Sequence, residues 1–219
     1  MADSAYAQRR EEKERQLDPI RQAALTCVAC PLHATRKNVV FGYGNPASPL
    51  MLVGEGPGAT EDETGLPFVG RAGKLLDECM REAGMKREHV YIANVVKCRA
   101  CIIEGRSVRN RPPTTEEVGT CVPLWLEKQI AIIQPRVILS LGAPSANVII
   151  KKGFRITAER GQFFESRYAP AAMAALHPAY ILRQQGEEFD RARATLIADL
   201  TAAKQRAKET MSEAPKTLF

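Results

Sequence analysis

Cys27 and Cys30 form a C-x2-C pair near the start of the chain, and Cys98, Cys101 and Cys121 form a second group. Thiolates gathered from two such regions suit a zinc ion or a [4Fe–4S] cluster. Spacing alone leaves both open, because Cys98-Arg99-Ala100-Cys101 makes a second C-x2-C. A zinc ribbon, however, wants its pairs about 15–20 residues apart. Here a stretch long enough for a strand, a helix and another strand separates Cys30 from Cys98.

A second constellation carries no sulfur. Gly54-Glu55-Gly56-Pro57-Gly58 follows an apolar run, and Gly65-Leu66-Pro67-Phe68-Val69-Gly70-Arg71-Ala72-Gly73 comes soon after. Glycines at the carboxyl end of a parallel strand let backbone amides approach a ligand closely, although such loops also serve as plain turns. Asn94 closes another apolar run. Its carboxamide donates and accepts at once, which matches the polar edge of a nucleobase; a strand-end asparagine bonding its own backbone is the bland counterpart. His177-Pro178 closes a third run, where an imidazole can donate to a developing anion or sit as a buried structural group.

These side chains need a scaffold, and the apolar pattern supplies one. Short aliphatic runs at residues 50–53, 90–96, 137–141 and 172–176 are separated by helix-like sequence, as in buried parallel strands joined by helical crossovers. Leu75, Leu76, Cys79, Met80 and Ala83 recur at helical steps within residues 72–83. A further helix is predicted to open at Thr114 or Thr115 and run through Pro123 to Ile133, and another covers residues 187–208 with Leu196, Ile197 and Leu200 on one side. The pattern predicts an α/β protein, a three-layer α/β/α sandwich around a mainly parallel four-stranded sheet. Residues 1–24 read as a polar helix, residues 25–205 as one domain and residues 206–219 as a frayed tail.

The 219 residues, 45% hydrophobic, suffice for one substantial core. A formal net charge of +6 is compatible with a polyanionic partner and does not require one. No run is apolar enough to span a bilayer, and the polar opening residues lack the apolar middle of a secretory signal, so a cytoplasmic protein is expected. In that reducing compartment the six cysteines point to metal binding or burial rather than disulfides.

The stretches GEGPG, GLPFVGRAG, NVVKCR and HPAYILR, in this order and each near a strand end, resemble the thermostable-type, family-four uracil-DNA glycosylases. With the cysteines the resemblance covers roughly residues 25 to 200. It implies excision of uracil from DNA, single or double stranded, by a monomer carrying a [4Fe–4S] cluster on Cys27, Cys30, Cys98 and Cys121. Cys79 is left for the core and Cys101 spare. Phe68 would stack on uracil, Asn94 would read its polar edge, and the backbone at Gly54, Gly56 and Gly58 would cradle it. His177 would meet the charge on the departing base and Glu55 would hold the attacking water, with Glu61 a weaker candidate. DNA contacts are expected from Lys97, Arg71, Tyr180 and Arg183, with Tyr180, Ile181, Leu182 or Arg183 as a wedge.

Two departures stand out. Gly56 replaces a common alanine, and the segment 99–120 is longer than the family's, with Arg106, Arg109 and Arg111 free to touch phosphate or merely solvate a loop. A related branch attaches covalently to DNA through a histidine in an inserted basic loop. The chain's only histidines are His33, His89 and His177, so no such trapping is expected. A non-catalytic nucleic-acid-binding module scaffolded by a cluster or zinc is the rival reading. A small electron carrier would have no need of Phe68 and Asn94.

Overall fold

A computed structural model describes residues 2–212. Its strands are β1 Tyr43–Gly44, β2 Leu50–Gly54, β3 Tyr91–Asn94, β4 Cys101–Glu104, β5 Ser107–Asn110, β6 Val137–Leu141, β7 Phe163–Ser166 and β8 Ala169–Ala175. Its α-helices are α1 Ala2–Leu25, α2 Ala59–Thr64, α3 Arg71–Glu82, α4 Thr115–Cys121, α5 Glu127–Ile133, α6 Ala143–Ile149, α7 Ile156–Glu159, α8 Pro178–Ile181 and α9 Gly186–Ser212.

The four predicted strands are β3, β2, β6 and β8, side by side and parallel. β2, β3 and β6 are buried along their whole length, as unbroken aliphatic runs require when helices cover both faces. The sheet is wider than expected. β1 pairs antiparallel with β3 and β7 antiparallel with β8, giving six strands. Two residues of β1 and the half-exposed alternation of β7 carry too little apolar signal to stand out in sequence.

Leu17 of α1, Trp125, Ile130 of α5 and Ile149 of α6 pack on one face of the sheet, and Leu76 of α3 with Leu196 and Leu200 of α9 pack on the other. This is the predicted three-layer sandwich. Each such fully buried aliphatic side chain contributes about 1.5–3 kcal/mol relative to exposure.

Thr114 caps α4 as predicted: its hydroxyl accepts from the Glu117 amide at 3.2 Å while the Glu117 carboxylate accepts from the Thr114 amide at 2.7 Å. The helical path to Ile133 contains a π-helical turn, Val122–Leu126, where Pro123 has no N–H to give. Helix α9 continues to Ser212, beyond residue 205 where the domain was expected to end; residues 213–219 lie outside the described residues. The long segment 99–120 is not a plain loop, for β4 and β5 pair antiparallel as a hairpin. Among the described residues no helix is long and apolar enough to cross a membrane.

Candidate active site

All four parallel strands point their carboxyl ends at one cleft of about 500 Å³. Glu55, Gly56 and Gly58 come from the loop after β2, Asn94 from the end of β3, Gly142 from the end of β6, and His177 with Tyr180 from the end of β8. Phe68 reaches the same cleft from the loop before α3.

Phe68 is held there at some cost. Its φ of 53° is left-handed, a conformation that a bulky residue adopts only where its surroundings enforce it. Arg87 supplies part of that enforcement: one guanidinium nitrogen donates to the Pro67 carbonyl at 2.9 Å, a second donates to the Phe68 carbonyl, and Nε holds Asp77 at 2.7 Å. Gly73 leaves the room for it, since a Cβ there would fall 1.8 Å from the Phe68 carbonyl oxygen.

Asn94 is 2% exposed, and its Oδ1 is buried with no hydrogen-bond partner. An orphaned buried acceptor costs about 1–3 kcal/mol, which a ligand donor would return. A Cβ on Gly54 would lie 2.4 Å from that oxygen and 2.5 Å from Phe68 Cζ, so ring and carboxamide border the same small space and residue 54 must lack a side chain.

His177 stands 5.8 Å from the Phe68 ring between centroids. Its Nδ1 accepts the Ala179 amide at 3.0 Å, which assigns the ring proton to Nε2. Burial, with the nearby Arg183 adding to it, pulls its pKa down to about 4. The imidazole is therefore a neutral donor near pH 7. Glu55 is half-buried, burial raises its pKa, and its carboxyl has no side-chain partner among the described residues.

Three sequence expectations need correction. Glu61, the weaker candidate for holding the water, is chiefly a brace at the cleft wall: Oε1 accepts from the Val69 and Gly70 amides at 2.9 and 2.8 Å and Oε2 from Gly58 at 3.1 Å, which ties the two glycine loops together. Lys97 is 1% exposed, and its Nζ donates to the Asn94 carbonyl at 2.8 Å, so it steadies the strand end and cannot reach phosphate. Ile181 is fully buried and Leu182 packs on the core, which leaves the exposed Tyr180 and Arg183 to face a ligand from that loop. Arg71 is exposed at the first turn of α3.

Asn110 and Arg111, at the foot of the β4–β5 hairpin, also line the cleft, as do Gly142 and Thr157. Of these, the sequence had marked only Arg111, as an arginine that touches phosphate or solvates a loop; Asn110, Gly142 and Thr157 had not stood out. Gly142 carried the same signal as Gly54, a glycine just past a buried strand.

Cys27, Cys30, Cys98 and Cys121 surround a separate cavity under α1, closed by Ala24, Trp125 and Arg36 among others. Arg36 donates to Cys98 Sγ at 3.5 Å and the Lys97 amide to Cys121 Sγ at 3.4 Å. Burial raises the Cys30 and Cys121 thiols and pushes Cys98 up to about 11. Among the described residues no three His, Cys, Asp or Glu side chains are gathered tightly enough for a single ion. Cys79 is buried in the core and Cys101 lies on β4, outside the cavity.

Residues 41–201 match the family model of the uracil-DNA glycosylase superfamily. The chain is 41% identical to a type-4 uracil-DNA glycosylase of Thermotoga maritima over 90% of its own length and 97% of that protein's. The chain belongs to the type-4 branch of the uracil-DNA glycosylase superfamily. It is 39% identical to a type-4 uracil-DNA glycosylase of Pyrobaculum aerophilum over 77% of its length and 85% of that protein's. A type-5 uracil-DNA glycosylase of Thermus thermophilus is 30% identical over a shorter stretch, 47% of this chain and 50% of that one.

Proposed function

We propose that this chain hydrolyses the N-glycosidic bond of deoxyuridine in DNA, releasing uracil and leaving an abasic site. The observation that carries this reading is the unpartnered Oδ1 of Asn94, buried beside the Phe68 ring. Uracil presents an N3–H donor to such an acceptor, whereas cytosine presents a bare lone pair. A site built to bond a polar hydrogen rejects an analogue lacking it by roughly 10⁴–10⁵. Extruding the base costs a few kcal/mol, which the ring face of Phe68 and this hydrogen bond offset.

Bond cleavage sends negative charge onto the uracil ring and positive charge onto the sugar. The neutral His177, its proton on Nε2, donates to the uracil oxygen as that charge develops. Glu55 positions the water that adds to the sugar, its raised pKa reflecting a site from which bulk solvent is partly excluded. Glu61 keeps the two loops at the spacing this requires.

Cys27, Cys30, Cys98 and Cys121 would hold a [4Fe–4S] cluster. Four sulfurs spread around a cavity suit a group with a separate iron for each better than one zinc ion about 2.3 Å from all of them. The Arg36 and Lys97 N–H groups aimed at sulfur fit thiolate ligands. When bound, the cluster braces the segments that carry Asn94 and the hairpin.

A single-turnover assay on uracil-containing single- and double-stranded oligonucleotides tests the reading. Free uracil and alkali-labile abasic sites should appear in equal amounts. Tight DNA binding without uracil release would instead favour a non-catalytic binding module.

A further inference from the structure

The β4–β5 hairpin has two unlike faces. Its register pairs Cys101 with Asn110, Ile102 with Arg109, Ile103 with Val108 and Glu104 with Ser107. Side chains alternate along a strand, so Ile103 and Val108 share a face with Asn110. Asn110 lines the cleft, which turns that face toward the cleft mouth. The opposite face carries a Glu104–Arg109 ion pair at 3.1 Å.

Ile103 and Val108 are 54% and 47% exposed, so no core contact accounts for this adjacent aliphatic pair. The foot of the hairpin is nevertheless fixed. Arg99 Nε donates to Asn110 Oδ1 at 2.8 Å, and Arg111 grips the 3%-exposed Glu117 side chain through two hydrogen bonds of 2.6 and 2.8 Å. β3 and β8 are the outer members of the four parallel strands, so the hairpin after β3 and the Tyr180–Arg183 loop after β8 flank the slot from opposite ends. A nucleic-acid strand laid between them meets cations on both sides, with Arg106 exposed at the hairpin turn and Arg183 exposed on the far loop.

We propose that Ile103 and Val108 form an apolar shelf supporting the base next to the extruded uracil in the same strand. The proposal rests on the uracil-excising reading of the cleft. Its occupant follows from continuity with the cleft wall, from the phosphate-compatible charges on either side, and from the readiness of aliphatic side chains to pack on an unstacked base. The shelf acts on substrate binding. It does not touch the glycosidic bond.

The test uses the full chain, the double variant Ile103→Ser with Val108→Ser, and uracil-containing duplexes carrying 2-aminopurine beside the uracil. KM should rise about tenfold, the size of one lost base contact, while kcat stays within about twofold and Tm is unchanged. The rise in 2-aminopurine fluorescence on binding should shrink with it. No charge is removed, so the salt dependence of binding should hold, whereas Arg106→Gln should lower its slope by about one. Ile103→Phe gives a reverse arm in which a larger apolar surface lowers KM. An unchanged KM and unchanged 2-aminopurine signal in the double variant would overturn the shelf and leave the pair to a different partner. Failure of the parent chain to release uracil would overturn the reading of the cleft instead, and the fluorescence arm would still report on the shelf.

Discussion

The carboxamide oxygen of Asn94 and the ring edge of Phe68 crowd a single point, 2.4 and 2.5 Å from where a side chain on Gly54 would begin. One residue offers an unanswered acceptor and the other an apolar face, and only a glycine backbone separates them from the strand end. A planar ring with an N–H on its edge satisfies both.

Gly54→Ala should therefore abolish the slot. The added methyl must displace either the carboxamide or the ring, and misplacement by about 1 Å costs on the order of 10²-fold in rate. Single-turnover uracil release checks this, with circular dichroism confirming that the sheet is intact.

Asn94→Ala removes an acceptor that bonds nothing in the protein, so stability should change little while kcat/KM falls by roughly 10²–10³. Thermal melts and kinetics on the same preparations separate the two effects.

Glu55 and Glu61 should part company in the same assays. Glu61→Gln weakens a charge-assisted brace to three backbone amides and should lower stability by about 1–3 kcal/mol together with activity. Glu55→Gln should lower kcat and leave the melting temperature unchanged, because its carboxyl holds nothing together.

The pH dependence follows from His177. Its folded pKa, about 4, lies below the ordinary 6.5, so the native ring stays neutral where the unfolded ring takes up a proton. Its contribution to stability is thus complete above about pH 6.5, is lost as pH falls toward about 4, and changes no further below that. His177→Gln should erase that part of the stability profile. Activity should fall on the acid side, and comparison with Glu55→Gln separates the imidazole from the carboxyl, whose pKa burial raises.

Much of this arrangement was legible in the sequence, and the parts that were not share a physical cause. Unbroken aliphatic runs at 50–53 and 137–141 could only be buried strands, and the motifs at their carboxyl ends had to meet. Phe68, Asn94, Glu55 and His177 do meet. Direction is what a one-dimensional pattern hides. A glutamate in a glycine loop reads alike whether it faces water or three backbone amides, as Glu61 does. Lys97 looks like any basic residue after a strand until the chain turns it inward. The hairpin escaped notice because its strands are short and its residues mostly exposed, so that a cross-strand register, invisible in sequence, gives the pair Ile103 and Val108 a common face.

The cysteine cavity yields a separate outcome. Anaerobically purified protein should be brown and carry iron, and Cys98→Ser should lose the visible absorption and lower Tm, since a group bound only by the folded state stabilises it. Colourless protein with stoichiometric zinc would contradict the assignment.

The most direct measurement is a crystal structure of the chain with free uracil bound. The account predicts the ring lying on Phe68, its N3–H donated to Asn94 Oδ1, and an exocyclic oxygen within reach of His177 Nε2. Uracil bound elsewhere, or an Asn94 carboxamide turned away from it, would contradict the account.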